Sequence, residues 1–180
     1  HFIAFPLSFA AIFAACDSST SPDSYIKGDQ IYERHIDRSQ ASMKCVVYAT
    51  DYSVSLDFNF SVLSDETYMR QQLEANTNNP AIYRGKAEVS GLFLNQKDKM
   101  CNMMKNLAED LDNGTYKCMD NVATFESTLP NVNESQKPFV ISQLKETLKN
   151  QCDTWYDETL KNINSLKNEI ASQNGNQGNS

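Results

Sequence analysis

Residues 43–62, MKCVVYATDYSVSLDFNFSV, constrain the fold of this chain more than any other stretch. Val46, Tyr48, Tyr52, Val54, Leu56, Phe58, Phe60 and Val62 fall on one parity, and Asp51, Ser53, Ser55, Asp57, Asn59 and Ser61 on the other. Successive side chains of a strand point to opposite faces. Alternation this long, rich in β-branched and aromatic residues, therefore predicts strand with one apolar and one polar face. A break near Thr50-Asp51 turns the run into a hairpin, whose sheet buries one face and leaves the other to water.

The rest of the chain supplies more strands and two helices. Ser64 to Ala75 reads either as a helix N-capped by Ser64, with Met69 and Leu73 four apart, or as an edge strand after the hairpin. Asn76-Thr77-Asn78-Asn79-Pro80 is a turn, and 81–93 reads as a strand with Gly85 at a bulge. Asn95 is placed to cap a helix over 96–112, with Met100, Cys101, Met104, Leu107, Ala108 and Leu111 on one stripe and Asn113-Gly114 as its stop. Residues 115–119 and 122–127 read as a short hairpin around Asp120-Asn121. Residues 32–38 fit a short helix or an irregular stretch.

The strongest helical pattern covers 138–171. Val140, Leu144, Leu148 and Cys152 are spaced by four, and Trp155, Tyr156, Leu160, Ile163, Leu166 and Ile170 continue the stripe. Such a helix spans about 50 Å, longer than any strand it could cover. Either it breaks near Asp153-Thr154, where Thr154 and Asp157 resemble a capping box, or one end overhangs. The expected fold is α+β, with an antiparallel sheet of about 4–6 strands packed by a middle helix and a long C-terminal helix.

The N-terminus has a different composition. Residues 1–15, HFIAFPLSFAAIFAA, hold no Asp, Glu, Lys or Arg. The run has the length of a signal-peptide core and is shorter than a membrane span. His1 is no start Met and no basic segment precedes the run, so the leader is expected to be N-terminally truncated. Phe13-Ala14-Ala15-Cys16 resembles the lipobox of bacterial lipoproteins. That resemblance implies cleavage before Cys16, lipid on its thiol and new amino group, and a membrane anchor. An Asp after the lipidated cysteine, here Asp17, implies retention in the inner membrane in some bacterial groups. The following DSSTSPDS is small, polar and suited to a flexible tether. The expected organisation is a signal peptide over 1–15, lipidated Cys16 with tether and lead-in over 16–42, one domain over 43–171, and a structureless tail over 172–180.

Five cysteines are present, an odd number for an exported protein. Lipidation of Cys16 accounts for one. The other four allow three pairings, and an oxidising compartment favours two disulfides. The favoured pairs are Cys101–Cys118, tying a helix to the strand after it, and Cys45–Cys152, tying an early strand to the last helix. No CxxC occurs and one histidine remains after the leader, so neither zinc nor redox chemistry is expected.

The remaining patterns carry little chemistry. A net charge of −7 argues against nucleic acid as a partner. His35 and Asp37 lack a nucleophile elbow, and Asp110 to Gly114 misses calcium-loop spacing by one residue. The six glycines form no phosphate cradle, and the sequons at Asn59, Asn113 and Asn133 match chance for so much Asn, Ser and Thr. Asp51 and Asp57 read as solvated carboxylates, and Met100, Met103 and Met104 as core filling. No cofactor is implied. The expected function is a non-catalytic binding module, lipid-anchored in the bacterial cell envelope and facing the periplasm or exterior. Its partner would be an envelope protein, a glycan or a small ligand. The overlong helix, through Trp155, Tyr156, Leu160 and Ile163, is the candidate docking surface, although the same stripe suits core packing. The alternatives are a small carboxylate-dependent hydrolase and a secreted, non-lipidated structural protein.

Overall fold

The computed structural model describes residues 24–78 and 80–175, with side chains described as far as Ser165. The leader, Cys16 and the tether to Asp23 lie outside the described residues, as do 176–180. The fold is α+β. Seven strands, β1 (Asp29–Arg38), β2 (Ala41–Ala49), β3 (Ser53–Val62), β4 (Ser64–Asn76), β5 (Ile82–Val89), β6 (Thr115–Met119) and β7 (Val122–Thr128), form one antiparallel sheet. Its order is β1-β2-β3-β4-β5-β7-β6. A 3₁₀ helix, Gly91–Gln96, leads into α1 (Lys97–Glu109), and α2 (Lys137–Gly175) ends the chain.

The strand count exceeds the expectation because two segments were unreadable locally. Residues 29–38, expected within the lead-in over 16–42, form edge strand β1, so the domain begins before residue 43. β1 buries only Ile36 among its apolar residues and carries charges on both faces. That pattern protects an edge but hides a strand from periodicity. Ser64–Asn76 is a strand inside the sheet, not a helix. The hairpin turn is where expected, but Ala49 pairs with Val54, which switches the parity of the buried face. Met43, Cys45, Val47 and Ala49 therefore share a face with Val54, Leu56, Phe58 and Phe60, whereas Val46 and Tyr48 lie on the other.

Both helices pack on that first face. One row crosses the sheet from Cys45 through Phe58, Gln71, Ala87 and Ala123 to Cys118. Its two ends are stapled to the two helices by Cys45–Cys152 and Cys101–Cys118. Those are the pairs expected from the cysteine positions. Met100, Met104 and Ala108 bury the stripe of α1, and Met103 packs on the same core. Gly85 sits at no bulge, since the β4–β5 register is unbroken. A Cβ there would lie 2.4 Å from Phe125 Cε1 and 2.8 Å from Leu73 Cδ2, so the glycine makes room for Phe125. Asn95 caps nothing, because the 3₁₀ helix starts the coil earlier and α1 has Gln96 before it. Asn113, at φ 54°, and Gly114 do end that excursion. A Cβ on Gly114 would fall 1.8 Å from the Ala108 carbonyl oxygen.

α2 does not break at Asp153-Thr154. The Thr154 hydroxyl donates to the Asn150 carbonyl one turn back, 3.0 Å, as it does inside a helix. Asp153 turns to β1, accepting from the Tyr32 hydroxyl at 2.5 Å and facing Arg34 Nε at 3.0 Å. The helix is 39 residues long and enters the tail that was expected to lack structure from Ser172. Among the described residues, no helix is long and apolar enough to cross a membrane.

Candidate functional site

The face of the sheet away from the helices holds the polar half of the alternation. The register arranges it in rows. Gln30, Tyr48, Ser55, Glu74, Arg84 and Glu126 form one, and Glu33, Val46, Asp57, Gln72, Lys86 and Thr124 the next. A third holds His35, Lys44, Asn59, Arg70, Glu88 and Val122. Alternation placed these residues on a wet face. The structure corrects that. Ser53 and Ser55 are fully buried, Asp57 is 2% exposed and Ser61 is 6% exposed. The reason is side-chain length. On this face β3 carries only Ser, Asp and Asn, whereas β2 brings Lys44 and Tyr48 and β4 brings Arg70, Gln72 and Glu74. Long neighbours rise above a short floor.

Asp57 is the chemically distinctive group. It faces Val46 on one side and Gln72 on the other. Burial pushes its carboxyl up to about 7, opposed by the Gln72 hydrogen bond and by the charges of Arg70 and Lys44. Burial likewise pushes the nearby Tyr48 phenol upward, helped by the charges of Asp57 and Glu33. Asp51 is not its companion, since it lies in the exposed β2–β3 turn.

The segment before β1 is fastened over the same face. Lys27 Nζ lies 2.6 Å from Glu74 Oε1, and Arg84 Nε lies 2.7 Å from Glu74 Oε2. Arg84 also donates to the Ser24 carbonyl at 3.1 Å and stacks on the Tyr25 ring at 4.4 Å. Glu74 is fully buried, so two cations and the Asn76 amide satisfy a carboxylate that would be costly alone.

No known family, curated protein or solved structure matches this chain.

The other residues singled out in the sequence fall elsewhere. Trp155 and Ile163 are buried, and Tyr156 and Leu160 pack against the core. The Trp155 ring meets Phe58 edge-on at 5.3 Å, and Arg34 stacks on Tyr156 at 4.0 Å. The stripe expected as a docking surface is thus occupied by the protein's own sheet, because its sequence pattern is that of core packing. His35 is an exposed residue 3.3 Å from Glu33. Asp110 to Gly114 is the end of α1 and its turn. Among the described residues, no three His, Cys, Asp or Glu side chains converge to hold a metal. The buried polar floor was missed because its signal, short residues on one strand against long ones on the strands beside it, exists only once register is known.

Proposed function

We propose that this protein is an exported, membrane-anchored binding module, tethered through Cys16 in the cell envelope, with the polar face of its sheet as the ligand-bearing surface. The observation that carries the reading is the pair of disulfides, which suit a compartment outside the reducing cytosol. The lipobox-like Phe13-Ala14-Ala15-Cys16 supplies the anchor in this reading. Fastening Ser24–Lys27 to Glu74 and Arg84 would hold the domain at a defined end of its tether. The test is intact-mass spectrometry of the full chain made in a bacterial host, with and without reductant and alkylation. A mass starting at acylated Cys16, with four thiols appearing only on reduction, is expected. An unacylated chain would overturn the anchor, and free thiols in the native protein would overturn the exported disulfide framework.

A second reading, a carboxylate-dependent hydrolase, has one observation in its favour. Asp57 is raised to about 7, into the range a general acid needs. Against it, the buried carboxylate on the adjoining row, Glu74, is held by Lys27 and Arg84 rather than left available as a base. Asp57→Asn abolishing hydrolysis of an envelope polysaccharide would establish this reading over the first.

A further inference from the structure

We propose that the middle of the polar face binds a neutral polyhydroxylated ligand, a short stretch of glycan laid along β3. This deepens the binding-module reading and rests on it. The argument starts from which buried groups lack partners. At the ends of β3, Ser53 shares a hydrogen bond with the Thr50 hydroxyl at 2.9 Å, and Ser61 with Ser42 at 2.6 Å. In the middle, Ser55 Oγ and Asn59 Oδ1 are buried and, among the described residues, have no partner. The carboxylate between them receives one long bond, 3.4 Å from Gln72 Nε2. Buried polar groups are almost always satisfied, and leaving one bare costs stability. Three under-satisfied groups at alternate positions of one strand are therefore better explained by an outside partner than by the fold.

Their chemistry selects the partner. A hydroxyl donates and accepts, an amide oxygen only accepts, and Asp57 does either according to its protonation. Sugar hydroxyls answer all three. Charge narrows the choice further. With Lys27 from the segment before β1, the three rows of this face carry Lys27, Lys44, Arg70, Arg84 and Lys86 against Glu33, Asp57, Glu74, Glu88 and Glu126, five of each sign. A face so balanced favours neither an anionic nor a cationic ligand, while neutral hydroxyls are opposed by neither set of charges. The three groups span about 14 Å along the strand, which suits an oligosaccharide better than a single sugar. Tyr48, facing Ser55, offers a ring for stacking. Lys44 is exposed and held 3.3 Å from Glu33, and Gln72 is half-buried on its long bond to Asp57, so a ligand enters by exchanging these two contacts for its own.

The test applies labelled full-length protein, in detergent, to an array of neutral, anionic and cationic oligosaccharides that includes chitotetraose, cellotetraose and maltotetraose. Binding to a neutral member, with charged members no better, is expected. Ser55→Ala and Asn59→Ala should each weaken it about five- to tenfold. Their thermal midpoints should stay at or above that of the parent protein, because each removes an unsatisfied buried group. Absence of binding to every neutral member, preference for a charged one, or unchanged binding in both variants would overturn the proposal. The mass measurement above is independent: an unacylated chain would sink the anchor without altering these results.

Discussion

The two faces of β3 are almost equally buried and are held in opposite ways. Toward the helices, Val54, Leu56, Phe58 and Phe60 meet apolar neighbours, with Phe58 against Trp155 and Phe60 against Phe93. Toward the other side, Ser55, Asp57 and Asn59 are enclosed by long polar side chains that leave much of their hydrogen-bonding capacity unused. Burial of apolar surface stabilises, and burial of a polar group does so only when that group is paired. The comparison separates a face that supports the fold from a face that the fold must carry.

The sharpest way to break the comparison is on the helix side. Replacing Cys45 and Cys152 by Ala removes a crosslink between residues 107 apart. The chain-entropy estimate for such a loop is about 4.7 kcal/mol. Denaturant unfolding should show a loss of that order, and a loss below that of the Cys101–Cys118 deletion, a loop of 17, would show that the helix face is held by packing alone. Phe58→Ala should cost about 3–5 kcal/mol by the same measurement, since it empties the site against Trp155.

Asp57 on the opposite face should behave in the reverse sense. Its folded value, about 7, lies above the 3.8 of the free side chain, so the folded protein holds the proton more tightly than the unfolded chain. Stability from this group is therefore complete below about pH 4 and is lost as pH rises to about 7. The gap corresponds to roughly 4 kcal/mol. Unfolding curves for Asp57→Asn should be flatter across that window and show greater stability than the parent at about pH 8. Identical slopes for the two proteins would mean that another group governs the window. Gly85→Ala, which drives a methyl into Phe125 and Leu73, should cost about 1–3 kcal/mol. Ser55→Ala should have the smallest effect, a gain of up to about 1 kcal/mol; a clear loss would show that the hydroxyl is paired in solution and would erase the contrast between the faces.

Much of this architecture was legible locally. The β2–β3 hairpin, the stripe of α1, the Asn113-Gly114 stop, the β6–β7 hairpin and the long last helix all announce themselves through period or turn chemistry. β1 and β4 did not, because β1 is charged on both faces and Ser64–Asn76 mixes buried Thr67, Gln71, Leu73, Glu74 and Ala75 without a clean period. The candidate site was half legible. Parity places Ser55, Asp57 and Asn59 together on one polar face, but predicts that face to be wet. Nothing within β3 states the length of the side chains across from it.

By itself the sequence determined the fold class and the two helices, since these depend on periodicity, and it favoured one of three cysteine pairings, the one the structure forms. Only the tertiary structure decided which strands are neighbours and in what register. Register sets which side chains stand beside Asp57, and so whether a polar residue on a strand is washed by water or enclosed by Tyr48, Arg70 and Gln72. Periodicity reports the face a residue takes, whereas burial depends on non-local neighbours that pairing alone brings together.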